Sequence, residues 1–359
     1  MSNTVVSICR SQLGRLLCFV MLISTASVSG DQIIVSGGRN YEDVTITSAT
    51  WEQVQYRLPG VSTAQKVDAD RVLELIFDQE PSSLSRGRGA LQQGDWDGAV
   101  SSLRSATSLS NPRQKADAMY LYGVALAQLG NQDPAQRGAA VEALEAYLNE
   151  FESKKDFYVP HARMALSEVH RRGESWSDAG NALSSLARGD LGKRWVLGAK
   201  LGNSEILLAQ DKFVEAREVF SAVANDSEAD SGMVSSAWLG YAVCQLGQKQ
   251  WSAATDTVRK KVLESRNAEI SNLSGAKARA WLIWGRATQE QASGDKKELQ
   301  WAMIRYLRAA VIANTGDSET LAEAIYRAKT AAVELGETER AAELAQRLQK
   351  LVPNSAWNK

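Results

Sequence analysis

The stretch DKFVEAREVFSAV, residues 211–223, decides how the rest of the chain is read. Phe213, Ala216, Phe220 and Val223 stand three, four and three residues apart, which puts them on one side of an α-helix. The same intervals return in Trp96, Ala99, Leu103 and Ala106, in Trp176, Ala179, Leu183 and Leu186, in Leu299, Ala302, Tyr306 and Ala309, and in Thr338, Ala341, Ala345 and Leu348. Ala140, Leu144 and Tyr147 repeat the last three places; Trp251, Ala254 and Val258 repeat the first three. The anchoring alanines at 99, 140, 179, 216, 254, 302 and 341 are separated by 41, 39, 37, 38, 48 and 39 residues. A period in this range predicts an array of repeats.

A small residue at the anchor lets one helix of a pair approach its partner closely, while the flanking aromatic and leucine side chains fill the space on either side. Each fully buried large apolar side chain contributes about 1.5–3 kcal/mol. One helix pair has too little such surface to offset the entropy of ordering it, so hairpins must stack on their neighbours. At 359 residues, 44% hydrophobic and 23% charged, the chain can bury a sizeable core and is neither disordered nor collagen-like. A formal charge of −1 carries no electrostatic footprint for nucleic acid.

Residues 1–30 read as a secretory signal. Arg10 and Arg15 come first, the apolar run 16–23 follows, and small residues lead to Gly30, after which cleavage is expected. An uncleaved anchor is the alternative, but the run falls short of the roughly 20 apolar residues of a membrane helix, and no later stretch reaches that length. Export to the periplasm or beyond the cytoplasmic membrane is the expected localisation. Cleavage leaves a net charge of −3 and removes Cys9 and Cys18, so Cys244 stands alone and no internal disulfide forms. Export without disulfides suits a large helical core.

Residues 31–80 differ from the rest. Residues 33–35, 41–47, 52–56, 64–67 and 72–77 are short β-prone runs, in which Val44 and Ile46, then Val54 and Tyr56, alternate with polar neighbours. Gly37-Gly38, Ser48-Ala49-Thr50 and Pro59-Gly60 separate them. They predict a small twisted sheet or a barrel of the SH3 or Sm type, with 72–77 alternatively opening the first helix. This module carries a net charge of −5 and the remaining helical part +2. Such acidity fits either docking of a basic partner or a solvated surface that keeps sheet edges from aggregating.

From residue 81 onward the pattern is helix, turn, helix. Gly94-Asp95, Gly130-Asn131, Gly173 and Gly336 fall between paired helices, where left-handed geometry is needed, and Gly247 serves alike. Residues 132–137 and 289–298 swell two of these turns and are expected as loops. The first helices carry Tyr122-Gly123, Leu239-Gly240 and Trp284-Gly285, with Gly87, Ser167 and Ser204 at matching places. Leu129-Gly130 and Leu335-Gly336 mark turns, and Pro353 closes the last unit. On these residues the chain from about 82 to 353 resembles the tetratricopeptide repeat family. Most units exceed that family's usual length, several lack its closing proline, and residues 198–203 form helix poorly. The resemblance implies a mainly α fold, a TPR-like α-solenoid in which about seven helix-turn-helix repeats, residues 81–359, wind into a right-handed superhelix behind the β-module. It also implies protein–protein interaction and no catalysis.

Chemistry is hard to find. His161 and His170 sit nine residues apart on different helix faces, there is no paired-cysteine spacing, nucleophile elbow or phosphate loop, and no metal, cofactor or catalytic residue is expected. Gly87-Arg88-Gly89 lacks the third glycine of a nucleotide loop and is assigned to helix packing. Trp96, Trp176, Trp251, Trp284 and Trp301 stand at or beside packing places and read as core. Arg259-Lys260-Lys261 and Arg171-Arg172 read as solvated surface.

In the resembled family the first helix of each pair lines a concave side. Places six and three before and one and four after the small packing residue form one stripe turned from the partner helix. It reads Asp117, Tyr120, Val124 and Ala127; His161, Met164, Glu168 and Arg171; Leu201, Glu205 and Leu208; Ala237, Tyr241 and Cys244; Arg279, Leu282, Arg286 and Gln289. Tyr120, Val124, His161, Met164, Glu168, Arg171, Tyr241, Arg279 and Arg286 are the candidate partner-binding residues. The mixture suits an extended peptide or a helix, with arginines taking carboxylates; the same residues could instead touch the β-module. The leading expectation is an exported, non-enzymatic scaffold for an envelope protein or complex. The alternative is a binder of envelope glycan or polymer, or an accessory subunit of cell-wall enzymes. The helix over residues 339–351 offers a way for two copies to pair.

Overall fold

The computed structural model describes residues 30–36, 38–189, 191–313, 317–353 and 355–358. The expected export signal therefore lies, apart from Gly30, outside the described residues. Five strands come first: β1 (Asp31–Val35), β2 (Tyr41–Ala49), β3 (Gln53–Arg57), β4 (Gln65–Asp68) and β5 (Val72–Ile76). Alternation fixes their faces: Val44, Ile46, Val54 and Tyr56 are buried while Glu42 and Thr45 point outward. Every pairing is antiparallel and the order is β4-β3-β2-β1-β5, with β4 and β5 at the edges. Of the two readings of residues 72–77, the strand holds. Asp31 fastens the sheet, its carboxylate accepting from the Ile46 amide at 2.6 Å and the Asp78 amide at 2.8 Å.

Helical hairpins follow. They are α1 (Ser82–Gln93) with α2 (Trp96–Ala106), α3 (Pro112–Gln132) with α4 (Arg137–Phe151), α5 (Val159–Arg172) with α6 (Trp176–Ser184), and α7 (Lys193–Ala209) with α8 (Phe213–Ala224). Next come α9 (Ser231–Gly247) with α10 (Trp251–Val258), the short α11 (Ala268–Asn272), α12 (Ser274–Ala292) with α13 (Lys296–Ala313), and α14 (Ser318–Leu335) with α15 (Thr338–Leu351). The described helices thus form seven pairs, and α11 with the preceding π-turn Arg259–Leu263 accounts for the long 48-residue interval. All seven anchoring alanines are buried. Caps match the boundaries: Asp95 accepts from the Gly98 amide, Asn111 from Arg113 ahead of a first-turn proline, and Asp230 from Met233.

Several local expectations change. Gly94 and Gly336 do take left-handed φ values of 73° and 79°. Gly130, however, lies in the last turn of α3, and Gly173 has φ −84° while Glu174 adopts 60°. The swollen turn 289–298 is mostly helix, because α12 runs to Ala292 and α13 begins at Lys296. Residues 198–203 lie wholly inside α7. There tertiary contact overrides helix propensity: a Cβ on Gly202 would come within 2.7 Å of the Leu183 side chain.

Two compact units divide the chain between Gly202 and Asn203. The β-module is not a unit of its own. Its buried Ile33, Ile46, Val54 and Leu75 share one apolar core with Leu84, Leu103, Tyr120, Leu144 and Tyr158 of the first hairpins. Among the described residues, no helix is long and apolar enough to cross a membrane.

Candidate functional site

The expected stripe is largely buried, because first helices pack on one another as well as on their own partners: α1 on α3, α3 on α5, α9 on α12, and α12 on α14. In the N-terminal unit the sheet adds further contact. Arg88 on α1 bonds Glu74 of β5 at 2.6 Å, Glu80 at 2.9 Å and the fully buried Asp117 of α3. Arg113 donates to the Ile46 and Thr47 carbonyls of β2, and Arg194 of α7 donates to the Asp70 carbonyl. The Trp51 backbone amide donates to the Lys155 carbonyl at 3.1 Å.

One guanidinium thus serves three carboxylates. Burial works against the charge on Arg88, but Asp117, Glu80 and Glu74 outweigh it and hold the group charged. At Asp117 burial dominates, Arg88 pulls back and Glu80 pushes up again, leaving its pKa at about 7. Beside this cluster Tyr120 stacks on Tyr158 with ring centroids 4.5 Å apart, and His161 meets the Trp195 ring edge-on at 4.6 Å. Burial, then the Arg194 charge, lowers the His161 pKa to about 3, so the ring is neutral.

The other candidates in this unit lie along the same row. Val124 is buried, and Met164 is half-buried against Gly198. Glu168 is clamped by Arg171 at 2.6 Å and by Arg172 at 2.5 Å. Burial would raise the Glu168 pKa, but the two arginines lower it. Arg171 is buried, so Arg171-Arg172 is a clamp on Glu168 and not solvated surface. Trp301, expected in the core, is 46% exposed, whereas Trp195 is buried.

The C-terminal unit, residues 203–359, bears a different first-helix face. Tyr241 meets Trp238 edge-on at 5.6 Å and lies under Arg217. Arg279 of α12 bonds the Thr320 hydroxyl at 3.4 Å and approaches Asp317 at 3.5 Å. About two turns along the same helix, Arg286 faces Glu323 and Arg327 of α14, which are themselves paired at 2.7 Å. Burial first, and then the neighbouring Arg327 charge, lower the Arg286 pKa to about 10. Arg327 stays charged because Glu323 offsets the cost of its burial. Three buried donors find no acceptor: Arg286 Nη1, Arg327 Nη2 and Trp357 Nε1, the last on a ring lying 5.7 Å from the Arg327 guanidinium. Sequence reasoning had singled out Arg279 and Arg286. It missed Arg327, which meets Arg286 through the packing of α14, and Trp357, which the chain end brings to Arg327. Cys244 is buried, and burial pushes its thiol up to about 12.

Paired helices with small residues at the crossing, stacked hairpin on hairpin, define a helical-repeat protein. The family model described as tetratricopeptide repeat matches residues 84–150, covering α1 to α4. Over those residues the chain resembles tetratricopeptide repeat proteins. Repeats of this family are generally protein-interaction scaffolds and typically non-enzymatic. Among solved structures the chain is similar to a tetratricopeptide repeat protein from Parabacteroides merdae ATCC 43184, at 14% identity and a TM-score of 0.37, over 68% of this chain and 97% of that one. No curated protein sequence matches it.

Proposed function

We propose that this protein is an exported, non-enzymatic scaffold that holds a protein partner on the first-helix face of its C-terminal unit. The carrying observation is the trio of buried, unaccepted donors on Arg286, Arg327 and Trp357. Leaving such donors unpaired costs about 1–3 kcal/mol each, and a partner that brings acceptors recovers that cost. On the first-helix face of the N-terminal unit the chain's own sheet supplies Glu74 to Arg88 and the Asp70 carbonyl to Arg194, although Arg88 Nε and Tyr158 Oη there also lack an acceptor. The basic and apolar pattern of residues 1–23, followed by small residues, supports export.

Crosslinking from the native envelope tests the reading. The intact chain should capture a protein partner that Arg286→Met loses while Val124→Ala retains it. Equal capture by both variants would remove Arg286 from the binding face, and recovery of the chain solely from the cytoplasmic fraction would end the export reading.

A further inference from the structure

A second surface lies on the exposed face shared by α12 and α13, away from the donors just described. Arg308 stacks over Trp281 at 4.3 Å to the ring centroid, and Trp281 lies parallel to Trp284 with centroids 4.9 Å apart and planes 9° apart. Arg305 covers Trp284 at 4.6 Å and reaches toward Trp301 at 5.9 Å. The rungs run in opposite senses along the two helices, 281 with 308 and 284 with 305, as an antiparallel hairpin demands. The ladder reads Arg308, Trp281, Trp284, Arg305, Trp301.

Both faces of Trp281 and of Trp284 are therefore occupied, which leaves no open indole plane there for a sugar ring. The guanidinium edges remain. A stacked guanidinium keeps its N–H donors in its own plane, pointing past the ring. Arg305 spends one on the Thr288 hydroxyl at 2.6 Å; Arg308 makes no hydrogen bond, and neither arginine pairs with a carboxylate among the described residues. By contrast Arg259, Arg279, Arg327 and Arg340 of the same unit all have acidic partners.

Apolar surface adjoins these free edges. Trp301, Ile304 and Val311 are 46%, 48% and 66% exposed and fall, with Arg308, on one stripe of α13. Three of the eight exposed large hydrophobics among the described residues sit on this helix alone. An apolar helical stripe packs ridges into grooves against another helix, and a guanidinium fork beside it takes a carboxylate through two parallel bonds.

We infer that this face is a docking surface for an acidic amphipathic helix of a partner protein, whose apolar stripe lies on Trp301, Ile304 and Val311 and whose flanking carboxylates meet Arg305 and Arg308. Charge complementarity selects the occupant: Arg308, without a counter-ion among the described residues, and Arg305, with only the unbonded Glu298 acting on it, stand beside apolar side chains and call for acid and apolar groups together. Trp and Arg are the residues that dominate binding at interface centres. The inference does not rest on the first-helix reading.

The test uses the full chain and two synthetic helical peptides of Leu and Ala, one flanked by Glu and the other by Lys, followed by fluorescence anisotropy. The Glu peptide should bind saturably and at least ~10-fold more tightly than the Lys peptide. Arg308→Glu should weaken the Glu peptide by about 10-fold and restore the Lys peptide, and Trp301→Ala should weaken both. Arg286→Met should leave this binding intact even where it abolishes the native partner, which separates the two readings. No saturable Glu-peptide binding, or equal affinity for both peptides, overturns the inference. So does a concentration-dependent dimer lost in Arg308→Glu, which would give the face to a second copy, or saturable binding of cell-wall fragments lost in Trp301→Ala.

Discussion

The two compact units carry the same hairpin pattern and treat its first-helix face in opposite ways. In the N-terminal unit Arg88 is buried among Glu74, Glu80 and Asp117, two of them supplied by the β-module and the segment after it. In the C-terminal unit Arg286 and Arg327 share one paired carboxylate, Glu323, with Glu290 adding a weaker pull, and like Arg88 each retains a buried donor without an acceptor. A repeat face is thus a place where charge accumulates, and what that charge does depends on whether the same chain covers it. Where the sheet reaches it, the charge fastens the sheet to the hairpins; where it does not, the charge is met by the next hairpin alone.

Removing the two arginines should break the comparison most sharply. Arg88→Met strands three carboxylates in a buried site and should destabilise the N-terminal unit by about 3–5 kcal/mol, read as a lowered urea midpoint. Arg286→Met takes away a charge whose burial is only partly compensated, so the C-terminal unit should change by less than about 1 kcal/mol or gain stability. Similar losses in both variants would show that the two clusters are equivalent.

Acidity gives the next largest contrast. Asp117 has its pKa raised from 3.8 to about 7, so between these values the native state keeps a proton that the unfolded state releases, and stability falls as pH rises. His161 has its pKa lowered from 6.5 to about 3, so there the unfolded state binds the extra proton and stability falls as pH drops. The two slopes, each roughly 1.4 kcal/mol per pH unit, oppose one another between pH 3.8 and 6.5. Urea midpoints followed against pH should expose them singly. Asp117→Asn should lose stability below pH 6.5, and His161→Phe should gain it from pH 7 down to pH 3.8. Parallel curves would deny the opposition. Arg286, at about 10, contributes no slope in this window.

Glycines give the finest contrast. A Cβ on Gly240 would come within 2.4 Å of the Phe220 ring, so Gly240→Ala should cost about 1–3 kcal/mol by overpacking. Gly89, inside α1, has open space around it, and Gly89→Ala should stabilise by roughly 0.5–1 kcal/mol through helix propensity. Thermal unfolding distinguishes them by sign.

Much of the fold could be read in the chain because burial repeats with a period. The alanine anchors lie at the crossings, and the five strands fall within about two residues of the β-prone runs. Glycine contacts were less legible. Gly87 meets Leu103, Gly123 meets Leu144 and Gly285 meets Tyr306, each within its own hairpin, yet Gly202 meets Leu183 and Gly240 meets Phe220 of the preceding hairpin. Spacing says that a small residue faces a large one, but a helix has two neighbours, and the local pattern is the same for both. The candidate stripe shows a similar limit: Arg279 and Arg286 were legible as a row, while Arg327, Trp357 and the rungs joining Trp281 to Arg308 and Trp284 to Arg305 were not.

By itself the sequence determined the helical hairpins, their number and the sheet ahead of them, because each is written in a short period of apolar side chains. Only the tertiary structure decided that the sheet lies against the first hairpins, that burial raises the Asp117 pKa against the pull of Arg88, and that arginines and tryptophans far apart in the chain form one ladder. The reason is physical: periodicity reports which face of an element avoids water, whereas charge burial and ring stacking depend on which other element arrives to meet that face.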